Sequence, residues 1–296
     1  MKDKRVMRGS VCAALGGVCW GFSGTCGQYL FSQFGISSLW LTCVRLLCAG
    51  CIMVGMAFFS HRSDLVKLWK YPKDIGCLFL YGVFGLMMCQ YAYMTSISYS
   101  NAATTTVLQT LSLVIIMLIT CVQVRRKPTR PEALALALAL CGTFLLATGG
   151  DPRHMVLSPA GLFWGLATAV AVTAYTLIPR GLLQRWSREA VSGLGMLFGG
   201  IVLNLAARSW RFEVSLPVSG WLAVGFIVIV GTVVSFSLFM QGVRDAGPVR
   251  SSMLGVTEPL SAAVCSAVWL GTSFSAADLA GFAAIIATIF LLAKEE

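Results

Sequence analysis

The chain has 296 residues, of which 57% are hydrophobic and only 11% charged, and its mean hydropathy is +0.80. Soluble domains run near ~25% charged, and no globule of this size has an interior large enough to hide so much apolar surface. An ordinary soluble enzyme, a disordered chain and a secreted disulfide scaffold are therefore excluded, and the formal net charge of +10, which on a soluble protein would point to nucleic acid, needs another explanation.

A helix crosses a bilayer with roughly 20 mostly apolar residues. Ten such stretches are predicted in chain order: 9–31, 37–60, 74–95, 101–122, 131–149, 158–179, 189–207, 217–241, 246–270 and 275–293. The loops between them leave no room for a soluble catalytic domain. The first stretch follows Lys2, Lys4, Arg5 and Arg8 as a signal peptide would. However, it is longer than the ~7–15 residues of a signal core and no small-residue cleavage site follows it, so it reads as a true first helix. Ala133 to Leu140 alternate Ala and Leu, yet an isolated strand cannot cross lipid, so this run also reads as helix.

Ten crossings put both termini on one side. The loops on that side hold 17 Lys and Arg, against 3 on the other (Arg153, Arg208 and Arg211). The positive-inside rule then places both termini in the cytoplasm. The basic charge serves orientation in the cytoplasmic membrane, and no nucleic-acid partner is expected.

Displaced by 146 residues, the chain matches itself. Gly85 falls on Gly231, Met94 on Met240, Leu108 on Leu254, Glu132 on Asp278, and Phe144-Leu145-Leu146-Ala147 on Phe290-Leu291-Leu292-Ala293. The boundaries of whole stretches coincide at the same offset. The expected fold is an all-α membrane protein of ten transmembrane helices in two five-helix repeats, 9–149 and 158–293. Five is odd, so the second repeat enters the membrane from the opposite side. Such inverted repeats are a common plan of secondary transporters, with the substrate site near the midplane between the repeats.

Three charged side chains fall inside the stretches away from their ends: Arg45, Arg250 and Glu258. Each is costly in lipid and is by default a functional hypothesis. Pro259 follows Glu258 and removes a backbone donor, which predicts a broken helix. Glu258 is then either a polar point that meets substrate or proton, or a structural carboxylate paired to an arginine across the bundle. Arg45 is either structural or a substrate contact. Arg250 can snorkel to the interface and stands about 12 Å along the axis from Glu258 at 1.5 Å per residue, so separate partners are expected.

Polar and aromatic residues at similar depth are Trp20, Ser23, Gln90, Tyr91, Tyr93, Thr106, Gln109 and Tyr175. Singly, each is read as interhelical hydrogen bonding. As a set they suit a cavity for an amphipathic metabolite, with Trp20, Gln90, Tyr93, Gln109, Tyr175 and Glu258 as its wall. Three glycine pairs four apart, Gly17/Gly21, Gly161/Gly165 and Gly195/Gly199, predict close helix approach. All eleven cysteines lie in apolar stretches and the two histidines, His61 and His154, lie in loops on opposite sides, so neither metal nor cofactor is expected.

No catalytic residues are expected. Gly21-Phe22-Ser23-Gly24 has the form of an intramembrane serine hydrolase motif, but no base accompanies Ser23. A passive channel would call for a ring of like groups, which two repeats in one chain supply poorly.

Trp20-Gly21, Arg45, Asn101-Ala102-Ala103 at the start of the fourth stretch, Thr257-Glu258-Pro259-Leu260 in the ninth and Trp269-Leu270-Gly271 at its end together resemble the drug/metabolite transporter superfamily, in its EamA type with two five-helix repeats. The resemblance covers essentially the whole chain. Val124-Arg125 and Gly271-Thr272 stand where that family usually shows a Leu-Gly-Glu turn, and Leu113 where proline is common. The resemblance implies a mainly structural Arg45. It also implies a secondary transporter exporting small metabolites, such as amino acids or their analogues, by alternating access. Its partners would be a small-molecule substrate and the lipid bilayer, with a homodimer left open. A channel and a hydrolase using Ser23 are the alternatives.

Overall fold

The computed structural model describes residues 2–292, so Lys294 and the end of the tenth stretch at Ala293 lie outside the described residues. The first half of the chain forms α1 (Lys2–Phe34), α2 (Ser38–Ser60), a short α3 (Arg62–Leu68), α4 (Pro72–Tyr99), α5 (Ala102–Gln123) and α6 (Arg130–Thr148). The second half forms α7 (Pro159–Leu177), α8 (Arg188–Ala207), α9 (Val218–Ala246), α10 (Pro248–Leu254), α11 (Thr257–Leu270) and α12 (Ala276–Leu292). No strand occurs among the described residues. Among the described residues seven helices, against the ten stretches expected, are long and apolar enough to cross a membrane: α2, α4, α5, α6, α7 with its extension to Leu183, α8 and α9. α12 is apolar at 17 residues.

Local chemistry sets the boundaries. Asn101 Oδ1 accepts the Thr104 N–H at 2.8 Å and starts α5, and Ser158 Oγ accepts the Gly161 N–H at 3.1 Å just before Pro159 opens α7. Thr129 and Glu132 form a reciprocal capping box at α6, whose other end stops at left-handed Gly149. α3 falls where a loop is expected. It is too short for a recognisable period, and Leu68, fully buried, anchors it.

The long helices are interrupted at matching places in the two halves. α4 contains a π-helical turn over Tyr81–Met87 and α9 one over Ile229–Val234. α5 breaks at Thr110 and Leu111, and α10 gives way to α11 at Gly255 and Val256. The predicted ninth stretch is therefore two helices. Leu254 O, at this second break, accepts the Thr257 hydroxyl at 2.8 Å, and Gly255 O, which Pro259 cannot reach with an N–H, accepts the Glu258 N–H at 3.0 Å.

Helix neighbours repeat the same symmetry. α1 packs along the C-terminal half of α9 and along α11, and α7 packs along the C-terminal half of α4 and along α5. Exchanging the halves converts one set into the other. α2 with α8, and α6 with α12, each pair with their own counterparts. Glycines allow the closest of these approaches. Gly17 and Gly21 lie against Thr257, Ser261 and the Glu258 carbonyl, and a Cβ on Gly82 would stand 2.5 Å from the Gly195 carbonyl. Gly165 gives the same room to Leu108.

Ion pairs gather at the helix ends that carry the excess cations. Asp245 at the end of α9 holds Arg5 at 3.1 Å and Arg8 at 2.7 Å. Asp74 in the first turn of α4 accepts from Arg185 at 2.6 Å and from the Trp186 indole N–H at 2.9 Å. Asp64 accepts the Ser187 N–H at 2.9 Å. Each of these contacts joins one half of the chain to the other.

Candidate functional site

The interruptions converge on a cavity of about 370 Å³ between the two halves. Its wall takes Trp20 from α1, Arg45 from α2, Gln90 and Tyr93 from α4, Gln109 from α5, Tyr175 from α7 and Glu258 from α11. The structure thus brings all six residues read as the wall around one space, together with Arg45. Arg250 is exposed on α10 and does not line the cavity.

Each polar side chain is held by a specific neighbour. Glu258 sits in the first turn of α11, directly after the break, and Gln109 ends the first segment of α5, directly before the other break. The Gln109 side-chain amide donates to Glu258 Oε1 at 3.3 Å, so the two breaks face each other. The turn bearing Glu258 is fastened to α1: the Thr257 hydroxyl lies 2.9 Å from the Ala14 carbonyl and the Ser261 hydroxyl 3.3 Å from that of Val18. Gly17 and Gly21 leave the space this needs. The Tyr93 hydroxyl pairs with Thr106 at 3.0 Å, and Thr106 donates to the Ala102 carbonyl at 2.7 Å. Trp20 packs on Phe239 with ring centres 5.1 Å apart. Tyr175 is set by α4, whose Gly85 leaves room for its backbone.

Arg45 is 4% exposed. Its Nε donates to the Thr232 hydroxyl at 2.8 Å and its Nη2 to the Gly231 carbonyl at 3.0 Å, while Nη1 is buried without a partner. Both acceptors belong to the π-helical turn of α9. A turn of this kind leaves carbonyls off the regular ladder, and the guanidinium takes one of them. Arg45 therefore braces a helix interruption, and no carboxylate oxygen lies within ion-pair distance of it among the described residues.

Several polar residues fall elsewhere. Tyr91 packs edge-on against Trp164 at 5.2 Å. Ser23 is buried against Gly231, and its hydroxyl has no partner. The cysteines are free, and no group of His, Cys, Asp and Glu that could hold a metal occurs among the described residues.

Two residues escaped the sequence reading. Gln28 ties three elements together: its Oε1 accepts from the Ala102 N–H at 2.9 Å and the Ser266 hydroxyl at 3.1 Å, and its Nε2 donates to Thr272 at 3.0 Å. As an amide within an apolar run it carries the same signal as Gln90 and Gln109. Thr232 carries no such signal, because its importance comes entirely from Arg45.

A multi-pass, all-helical chain whose two halves match around one polar cavity has the architecture of a membrane transporter. The sequence model of the EamA-like transporter family matches residues 7–148 and again 159–294, and the chain belongs to that family. It is similar to the uncharacterized inner membrane transporter YicL of Salmonella typhimurium, with 37% identity over 290 residues that span 97% of this chain and 96% of that one. It is also similar to the uncharacterized transporter YwfM of Bacillus subtilis, with 25% identity over 277 residues spanning 92% and 89%. A solved crystal structure shares the fold at a TM-score of 0.63 and 17% identity, covering 98% of this chain and 96% of that one.

Proposed function

We propose that this protein is a secondary transporter that exports small metabolites, such as amino acids or their analogues, by alternating access. In this reading α1, α2, α4 to α9, α10 with α11, and α12 make ten crossings of the cytoplasmic membrane. They form two five-helix repeats of inverted topology, 9–149 and 158–293, with both termini in the cytoplasm. One half rocks against the other around the central cavity.

The observation that carries the reading is the cavity itself. It lies between the halves, takes residues from both helix breaks and from the π-helical turn of α9, and combines an aromatic wall with one cation and one carboxylate. That mixture of apolar surface and few directional groups suits a small amphipathic solute.

Reconstitution in liposomes tests it. A carrier gives saturable flux that is stimulated by substrate on the far side, and linear flux would refute the carrier in favour of a channel. Glu258→Gln is expected to abolish transport at unchanged membrane expression. Loss of the folded protein instead would assign Glu258 to structure.

A further inference from the structure

Arg45 has a second capacity beyond bracing α9. Two of its three nitrogens are occupied by neutral oxygens, the Thr232 hydroxyl and the Gly231 carbonyl. Nη1 is buried and unpaired although the residue lines the cavity. A guanidinium is always charged, and a buried charge is ordinarily paired. Neutral acceptors satisfy hydrogen bonds without neutralising the charge. The carboxylate that lines the same cavity, Glu258, is engaged through one oxygen by Gln109. The cavity wall therefore includes an arginine from one half of the chain with one buried guanidinium nitrogen unpaired, and from the other half a carboxylate held by Gln109 through one oxygen. Leu113, Ile116, Val172 and Phe236 supply apolar wall.

Resting on the reading of the cavity as a substrate site, we infer that Arg45 is an anion-binding residue: Nη1 takes the anionic group of the substrate and Glu258 takes its cationic nitrogen. The substrate is then a compact dipolar molecule with an apolar body, held across the two halves. The same guanidinium touches the π-helical turn through Nε and Nη2, so occupancy of the site acts directly on an interruption of α9.

The test uses the purified full chain in detergent, because a ligand that binds the folded state raises its melting temperature by mass action. The twenty proteinogenic L-amino acids are screened at millimolar concentration. The best stabiliser is then compared with its amide, which lacks the carboxylate, and its N-acetyl form, which lacks the ammonium. The expected result is stabilisation by at least one acid, with half-saturation at least tenfold weaker for both derivatives. The inference is overturned if no amino acid stabilises the chain, or if the amide does so as well as the acid.

Variants assign the groups. Arg45→Lys is expected to erase the preference for acid over amide, a readout that bracing alone would leave unmoved. If that variant does not fold, the wild-type comparison stands by itself. Glu258→Gln is expected to erase the preference for acid over N-acetyl form and to keep that for acid over amide. Proteoliposome flux separates this inference from the transporter reading. Saturable exchange of an uncharged solute, with no amino acid competing, overturns the dipolar site and leaves the transporter intact, whereas absence of any carrier-type flux refutes the transporter.

Discussion

Thr232→Val probes the contact between Arg45 and the α9 turn. The Thr232 hydroxyl accepts from Arg45 Nε at 2.8 Å and donates to the Ile227 carbonyl at 2.9 Å. Valine has nearly the same shape, so packing is conserved and the hydroxyl alone is removed. A hydrogen bond to a charged group contributes about 1.5–3 kcal/mol, and the second bond, to the neutral Ile227 carbonyl, about 1 kcal/mol more. The expected destabilisation is about 2–4 kcal/mol, and at about 2 °C per kcal/mol for a chain of this size the melting temperature falls by about 4–8 °C. Thr232→Ser keeps the hydroxyl and loses one methyl, about 1 kcal/mol, so its melting temperature falls by about 2 °C. Thermal unfolding in detergent compares the two. If the valine variant melts at or above the serine variant, Arg45 is not braced through Thr232 and the account of the turn fails.

Other outcomes follow from the packing and the topology. Gly21→Ala drives a Cβ into Ser261 and the Glu258 carbonyl and should sharply reduce the yield of folded protein, whereas Gly225→Ala, which meets nothing within 4 Å, should be neutral or slightly stabilising. Quantifying monodisperse protein after extraction checks both. Arg125 ends α5 at φ 53°, a left-handed conformation that costs a non-glycine residue about 1 kcal/mol. Arg125→Gly should therefore raise the melting temperature by about 2 °C. Reporter cysteines at Asn101 and Ser273 should react with an impermeant reagent from outside, and those at Lys70 and Lys127 only from inside. Labelling of position 70 from outside would overturn the orientation.

The helices were legible where side chains do the capping. Asn101, Thr129 with Glu132, and Ser158 before Pro159 sit within a residue or two of the predicted starts, because a cap is a local interaction written in adjacent residues. The members of the cavity wall were legible for a related reason. Gln90, Gln109 and Glu258 are polar in apolar surroundings, and lipid leaves such groups few places to go. The interruptions were only half legible. Gly255 and Pro259 mark the break before α11, but Thr110 and Leu111 carry no breaker, and the π-helical turns of α4 and α9 depend on packing against distant helices. The Arg45 partners lie 186 and 187 residues away, beyond any local pattern. The missing glycine of the usual family turn has a plain local outcome: Arg125 adopts the left-handed backbone that Gly271 adopts at the end of α11.

The two π-helical turns are matched in place but not in support. The turn in α9 is gripped by Arg45, whereas the turn in α4 rests on the glycine face of α8 through Gly82, Gly195 and Gly199. At the 146-residue offset the counterpart of Arg45 is Val191, which has no charge to offer. Identical repeats would exchange roles between two end states of equal energy, as mirror images do. Here one turn is gripped by a buried guanidinium, and the other is seated by packing against α8. Under the alternating access proposed above, a carrier built this way would favour one side before any gradient acts on it.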